Sequence, residues 1–177
     1  MRGHASAAAT LYGAAQESGS VVREEKGTFW AQARPTGKRS IFASFGLAAE
    51  EYEFVTRCNT ALPGDTLRMN STDYFVTSAE RETLSWYKIL AARVTISSCR
   101  RGNTEFFGVL TEKYASNNDE EAYRSDERTV ILVTPKFEVL REGDEVEIDA
   151  KSVYIVRLSH DLDPYKNEYE IWGRRDI

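Results

Sequence analysis

Gly143-Asp144-Glu145-Val146-Glu147-Ile148, followed by Val153-Tyr154-Ile155-Val156, decides the reading of this chain, because an earlier stretch has the same form. That stretch is Gly64-Asp65-Thr66-Leu67-Arg68-Met69, followed by Tyr74-Phe75-Val76. Each consists of a Gly-Asp turn, a short alternating strand, a polar turn and a second alternating strand led by tyrosine. The flanks repeat as well. Val55-Thr56 answers Val133-Thr134 and Leu62 answers Leu140. Phe29-Trp30-Ala31 answers Phe106-Phe107-Gly108, and Tyr87-Lys88-Ile89 answers Tyr169-Glu170-Ile171. The separation between matching residues drifts from 77 (Phe29 to Phe106) to 82 (Tyr87 to Tyr169), with the slips falling in turns. An internal repeat governs every later inference about fold. Here it predicts two tandem copies, residues 1–94 and 95–177.

Each copy then holds about 80 to 90 residues, near the lower limit for a domain that buries its own core. Helical periodicity is weak, and the only helix the sequence suggests is a short one over residues 46–52. Strand-like alternation is frequent. Residues 10–12 open the first copy, 28–34 form an aromatic strand stopped by Pro35, and 52–58 alternate again. Residues 66–69 and 74–79 make a hairpin, and 84–96 form a long strand. Residues 16–27 read as a loop or loose hairpin, and residues 1–9 as a loose arm. The second copy follows with strands at 104–110 and 129–134, the signature hairpin, a turn-rich loop over 160–166 and a closing strand over 169–172. The prediction is all-β: two tandem small antiparallel β-barrels, or sandwich-like domains. Long inter-strand loops cover residues 38–51 and 111–128. Curling each sheet on itself hides its strand edges.

Composition limits the function. Net charge is −5, with 41% hydrophobic and 29% charged residues. No basic surface points to nucleic-acid binding. No apolar run approaches the roughly 20 residues of a membrane helix. Cys58 and Cys99 lie in no metal spacing and are expected as reduced thiols rather than a disulfide.

Catalytic motifs are lacking. His4 falls in the arm. His160 with Asp161 and Asp163 lacks the spacing of a metal site and reads as a solvated loop. Gly64, Asp65, Gly143 and Asp144 recur at equivalent places, and aspartate beside glycine caps a turn through nearby N–H groups. Tyr74 and Tyr154 read as half-buried strand aromatics. The expectation is that the protein is not an enzyme and carries no cofactor or metal.

The order of motifs carries a family resemblance. An aromatic-Trp-Ala strand precedes a long loop, then Tyr52-Glu53-Phe54-Val55-Thr56-Arg57, Leu62-Pro63-Gly64-Asp65-Thr66-Leu67-Arg68-Met69, Tyr74-Phe75-Val76 and a last aromatic strand. This resembles the head–tail connector proteins of tailed bacteriophages, in particular the head-closure (stopper or adaptor) subgroup. The resemblance covers most of the chain, once per half. The second copy departs from it with Pro135 where the first has Arg57. It implies a structural protein of the virion neck, assembled in the bacterial cytoplasm. Its implied partners are further copies in a ring of six or twelve chains, a portal or adaptor protein, and a tail terminator or tail tube protein. DNA would pass through the lumen without sequence-specific binding, and no membrane is involved. The long loops would line the channel, through Lys38, Arg39, Phe42 and Phe45 in one copy and Asn117, Asn118, Asp119, Glu120 and Glu121 in the other. Trp30, Trp86 and Trp172 are candidate interface residues. Two other readings stay open: a phage tail or baseplate component, and a cytoplasmic ligand-binding barrel acting alone.

Overall fold

A computed structural model describes residues 6–37, 50–112 and 129–173. The chain forms two closed six-stranded antiparallel barrels. The first contains β1 (Ser6–Glu17), β2 (Ser20–Pro35), β3 (Glu51–Thr56), β4 (Thr66–Met69), β5 (Thr72–Arg81) and β6 (Tyr87–Val94). The second contains β7 (Ile96–Arg101), β8 (Thr104–Glu112), β9 (Thr129–Pro135), β10 (Glu145–Ile148), β11 (Ser152–His160) and β12 (Lys166–Gly173).

Strand order in the first barrel is β1-β2-β3-β6-β5-β4, with β4 returning to β1. In the second it is β7-β8-β9-β12-β11-β10, with β10 returning to β7. Strand for strand these are one topology, and finer features recur with it. Both fifth strands bulge at the same point, between Val76 and Ser78 and between Val156 and Leu158. Thr66 pairs with Phe75 as Glu145 pairs with Ile155. The hairpin turn is one residue longer in the second copy, since Met69 pairs with Thr72 but Ile148 with Ser152. That insertion accounts for one slip in the repeat spacing.

Alternation places one face of each strand inside. In the first barrel Ala9, Leu11, Ala31, Phe54, Leu67, Met69, Tyr74, Val76, Ile89 and Ala91 form the core. Phe54 meets Tyr74 edge-on, with ring centroids 5.0 Å apart. Burying a side chain such as Phe54 contributes about 1.5–3 kcal/mol. In the second barrel Leu132, Leu140, Val146, Ile148, Val156, Tyr169 and Ile171 are buried. Gly108 occupies the place of Ala31, and a Cβ there would lie 2.6 Å from Leu132 Cδ1 and 3.1 Å from the Val133 carbonyl oxygen. Packing therefore leaves no room for the first copy's methyl group.

Several sequence expectations need correction. The match of Tyr87-Lys88-Ile89 to Tyr169-Glu170-Ile171 is two residues out of register. Phe54 pairs with Ile89 and its counterpart Leu132 pairs with Tyr169, so Ile89 answers Tyr169 and Tyr87 answers Asn167. A slip of two leaves every side chain on its own face, so alternation cannot detect it. The helix expected over 46–52 fails where the chain is described: Glu51 and Tyr52 belong to β3 and pair with Ala92 and Ala91. Residues 16–27 are mostly strand, the ends of β1 and β2 joined by a Ser18-Gly19 turn with both φ values positive, 50° and 88°. The loose arm is strand from Ser6, and Ala9 is fully buried opposite Met69. The long strand over 84–96 is two strands, β6 beginning at Tyr87 and β7 at Ile96. Thr111 extends β8 rather than the following connector, and His160 ends β11 rather than lying in a loop. Strand β7 was not foreseen.

Candidate docking surface and the Gly-Asp turns

The two signature turns have one hydrogen-bond pattern. Gly64 N–H donates to the Val76 carbonyl at 2.9 Å, as Gly143 N–H does to that of Val156 at 2.8 Å. Val76 N–H and Val156 N–H return bonds of 2.9 Å to the Asp65 and Asp144 carbonyls. Each aspartate side chain then accepts from the backbone three residues upstream, Leu62 N–H at 2.9 Å and Arg141 N–H at 2.8 Å. Both glycines sit at φ 89°, in the left-handed region that disfavours any Cβ. The turns thus lock each fourth strand to the bulge of the fifth. Turn chemistry accounts for Gly64, Asp65, Gly143 and Asp144.

The two carboxyls differ electrostatically. Burial pushes Asp65 above the usual aspartate range, against the opposing pull of Lys26, whose Nζ lies 2.8 and 2.9 Å from its two oxygens, and of Leu62 N–H. Burial also raises Asp144. The Arg141 N–H and the Arg101 guanidinium, 3.0 Å away, together overcome it and hold that carboxyl low.

The connector after each third strand leads to this turn, and the strands fix what shares its end of the barrel. Thr56, the last residue of β3, pairs with Ala31 on one side and Tyr87 on the other, and its hydroxyl donates to the Trp30 carbonyl at 3.0 Å. Trp30, Arg57, Leu62 and the loop between β5 and β6 therefore lie at one end of the first barrel. Trp30 is 70% exposed and Leu84 85%. Arg57 stacks over the exposed Trp86, 5.1 Å from the ring centroid. At the corresponding end of the second barrel Pro135 pairs with Lys166. Phe137 and Val139 on its connector are exposed there, as are Leu162 and Tyr165 on the loop between β11 and β12. Leu162 is 98% exposed. Each copy thus presents a solvated leucine and an aromatic on the same loop. Exposed apolar clusters of this kind mark contact surfaces.

Of the sequence candidates, Trp30 and Trp86 share this end of the first barrel. Trp172 does not belong with them. It sits on the outer face of β12 opposite Ile155, under the Arg157 guanidinium at 4.0 Å, with its indole N–H buried and without a hydrogen-bond partner among the described residues. Leu84, Phe137, Val139, Leu162 and Tyr165 were missed. The signal for Leu84, Leu162 and Tyr165 was available in Leu84-Ser85-Trp86 and Leu162-Asp163-Pro164-Tyr165, the same loop in each copy. The channel-loop candidates Lys38, Arg39, Phe42, Phe45, Asn117, Asn118, Asp119, Glu120 and Glu121 lie outside the described residues. In the first barrel the end of β2 and the start of β3 lie at the end opposite the exposed tips, since Pro35 pairs with Tyr52 and Ala31 with Thr56.

Beside Leu162 runs an open cleft of about 500 Å³, lined by Ser159, His160, Asp161, Asp163, Lys166 and Glu168. His160 Nε2 lies 3.5 Å from Glu170 Oε1, and Asp163 accepts from Tyr165 N–H at 2.8 Å. Among the described residues no group of three or more His, Cys, Asp or Glu is placed to hold a metal ion. Cys58 and Cys99 are both free thiols.

No protein-family model matches the chain, and neither does any curated protein or solved structure.

Proposed function

We propose that this chain is a structural protein of the phage neck, which assembles into a ring between portal and tail, closes the DNA-filled head and docks the tail. One observation supports this reading above the others: two barrels of a single topology each expose a leucine and an aromatic on the same loop, Leu84 with Trp86 and Leu162 with Tyr165. A duplicated unit that keeps the same apolar tip in solvent twice is suited to repeated contacts of one kind, as a closed ring requires. The motif order of the sequence carries the resemblance to that family, and the fold is compatible with it. Burial of such tips against neighbours would form the apolar centre of each contact, with polar residues at the rim.

The test is mass measurement and electron microscopy of the purified full chain, alone and with a phage portal protein. A ring of six or twelve chains that seats on the portal is the expected result. A monomer at every concentration that ignores the portal would overturn the reading. Six chains would mean twelve barrels matched to a twelvefold portal, and twelve chains would mean a second set of barrels outside or below the first.

A further inference from the structure

The second barrel closes along an unusually short ladder. Strands β7 and β10 share two residue pairs, Glu147 with Arg100 and Ile148 with Cys99. The equivalent closure of the first barrel, between β1 and β4, has four. The ladder between β9 and β12 has seven. One further backbone bond and several side chains hold the rest of the short seam. At one end Asp149 N–H donates to the Ser98 carbonyl at 2.8 Å, and the Asp149 carboxylate accepts from Ser98 N–H at 2.9 Å. In the middle Arg100 binds Glu147 through both Nε, at 2.9 Å, and Nη2. At the other end Arg101 donates to the Val139 carbonyl at 2.8 Å and to Asp144 at 3.0 Å. Its second nitrogen lies 3.1 Å from Glu138 Oε1, outside hydrogen-bond geometry. The β10 side thus presents Glu138, Asp144, Glu147 and Asp149, while β7 presents Arg100, Arg101 and the Ser98 amide. Glu105 on β8 faces Arg100, Arg141 neighbours Asp144, and the Tyr169 hydroxyl meets the Glu138 carbonyl.

We propose that the β7–β10 seam of the second barrel is an electrostatic latch, which opens on its own while the rest of the fold stays intact. Backbone ladders in a barrel open only at the cost of unpaired N–H and C=O groups, and two pairs set a low cost. Beyond the Asp149–Ser98 backbone bond, what remains is largely attraction between charged groups, most of them partly exposed, which salt screens over roughly 8 Å at physiological strength. Opening separates β7 from β10 and uncovers Cys99, which is otherwise 1% exposed. Burial pushes that thiol up to about 12, so the closed barrel offers no thiolate at neutral pH. Cys99 therefore reports the open state alone.

The experiment uses the full chain carrying Cys58→Ser and follows Cys99 modification by an aromatic disulfide reagent at neutral pH. Global unfolding is tracked separately by circular dichroism. The expected labelling rate is flat across low denaturant, the signature of local opening. Glu147→Gln should accelerate it about three- to fivefold, and Asp149→Gly, which keeps the turn's positive φ, about tenfold. Raising salt from about 0.02 to about 0.3 M should accelerate it in the same direction. Asp73→Asn, which removes the ion pairs to Arg23 and Arg68 in the first barrel, should leave it unchanged. A Cys99 rate with the full denaturant slope of global unfolding, or variants that alter it only in proportion to global stability, would overturn the latch.

Discussion

At the scale of single residues, the signature turns make two predictions that depend on separate terms. Gly143 stands at φ 89°, and beyond its chain neighbours no atom of the described residues lies within 4 Å of where a Cβ would go. Replacing it by alanine creates no clash, so any loss comes from the left-handed backbone alone. Gly143→Ala should cost about 1–2 kcal/mol, read from the shift in a urea unfolding midpoint at unchanged slope. The second prediction concerns charge. The Asp144 carboxyl is held below its ordinary 3.8, so it contributes stability above that pH and loses it as pH falls through its folded pKa. Asp65 is held above 3.8, so its contribution is present below that value and is lost as pH rises through its own folded pKa. At neutral pH Asp144→Asn should therefore destabilise the protein more than Asp65→Asn, although Asp65 is the more buried. The gap should close as the two variants are unfolded at progressively lower pH towards 3. Equal losses at both pH values would show that the turn hydrogen bonds, not ionisation, set the cost.

At the scale of elements, the connector between β9 and β10 is pinned from β12. The Tyr169 hydroxyl accepts from Leu140 N–H at 3.0 Å and donates to the Glu138 carbonyl at 2.9 Å, all three residues being buried. Asn167 Nδ2 donates to the same carbonyl. Tyr169→Phe would leave the Leu140 amide without an acceptor inside the barrel and should cost about 1–3 kcal/mol. Faster hydrogen exchange at Leu140 with little change at Leu62 in the first barrel would place the loss there. This pin was illegible in the sequence because the repeat, matched by its tyrosines, set Tyr169 against Tyr87. Only strand register sets it against Ile89. Other misreadings have equally specific causes. Strand β7 buries Ser97 and Cys99 between exposed Ser98 and Arg100, so its inward residues carry little hydrophobic signal. The start of β2 is polar, with Arg23, Glu24, Glu25 and Lys26, and lies between Gly19 and Gly27, which suggested a loop or loose hairpin. Two of those charges reach other strands instead, Arg23 to Thr66 and Asp73 and Lys26 to Asp65. The turn signatures were legible because glycine at positive φ and an aspartate cap are local requirements that tertiary context does not rewrite. The exposed tips were half legible: aromatic content marked Trp30 and Trp86, but nothing in one strand's alternation says which apolar residue the fold leaves outside.

At the scale of the molecule, the duplication offers what a lone barrel would not, an internal control on every surface. A position exposed and apolar in one copy alone is ordinary, because folded proteins leave much apolar area in water. The same loop exposed and apolar in both copies, despite different residues around it, requires a reason the isolated chain does not provide. Leu84 and Leu162, at 85% and 98% exposure, contribute almost nothing to either core. Leu84→Ser and Leu162→Ser should each leave unfolding free energy within about 0.5 kcal/mol of the parent. If the tips are contact surfaces, each should weaken assembly by about 2 kcal/mol or more, the loss typical of a central interface anchor. The double variant separates two architectures. Where both barrels meet the same class of neighbour around one ring, the two losses should be similar in sedimentation velocity and combine in the double variant. Where one barrel builds the ring and the other faces the tail, one leucine should abolish the ring while the other leaves it whole and blocks tail joining. Two assembled variants indistinguishable from the parent would mean that the tips are not the surface by which this chain works, and would shift the search to the outer face of β12, where Trp172 lies under Arg157 opposite Ile155.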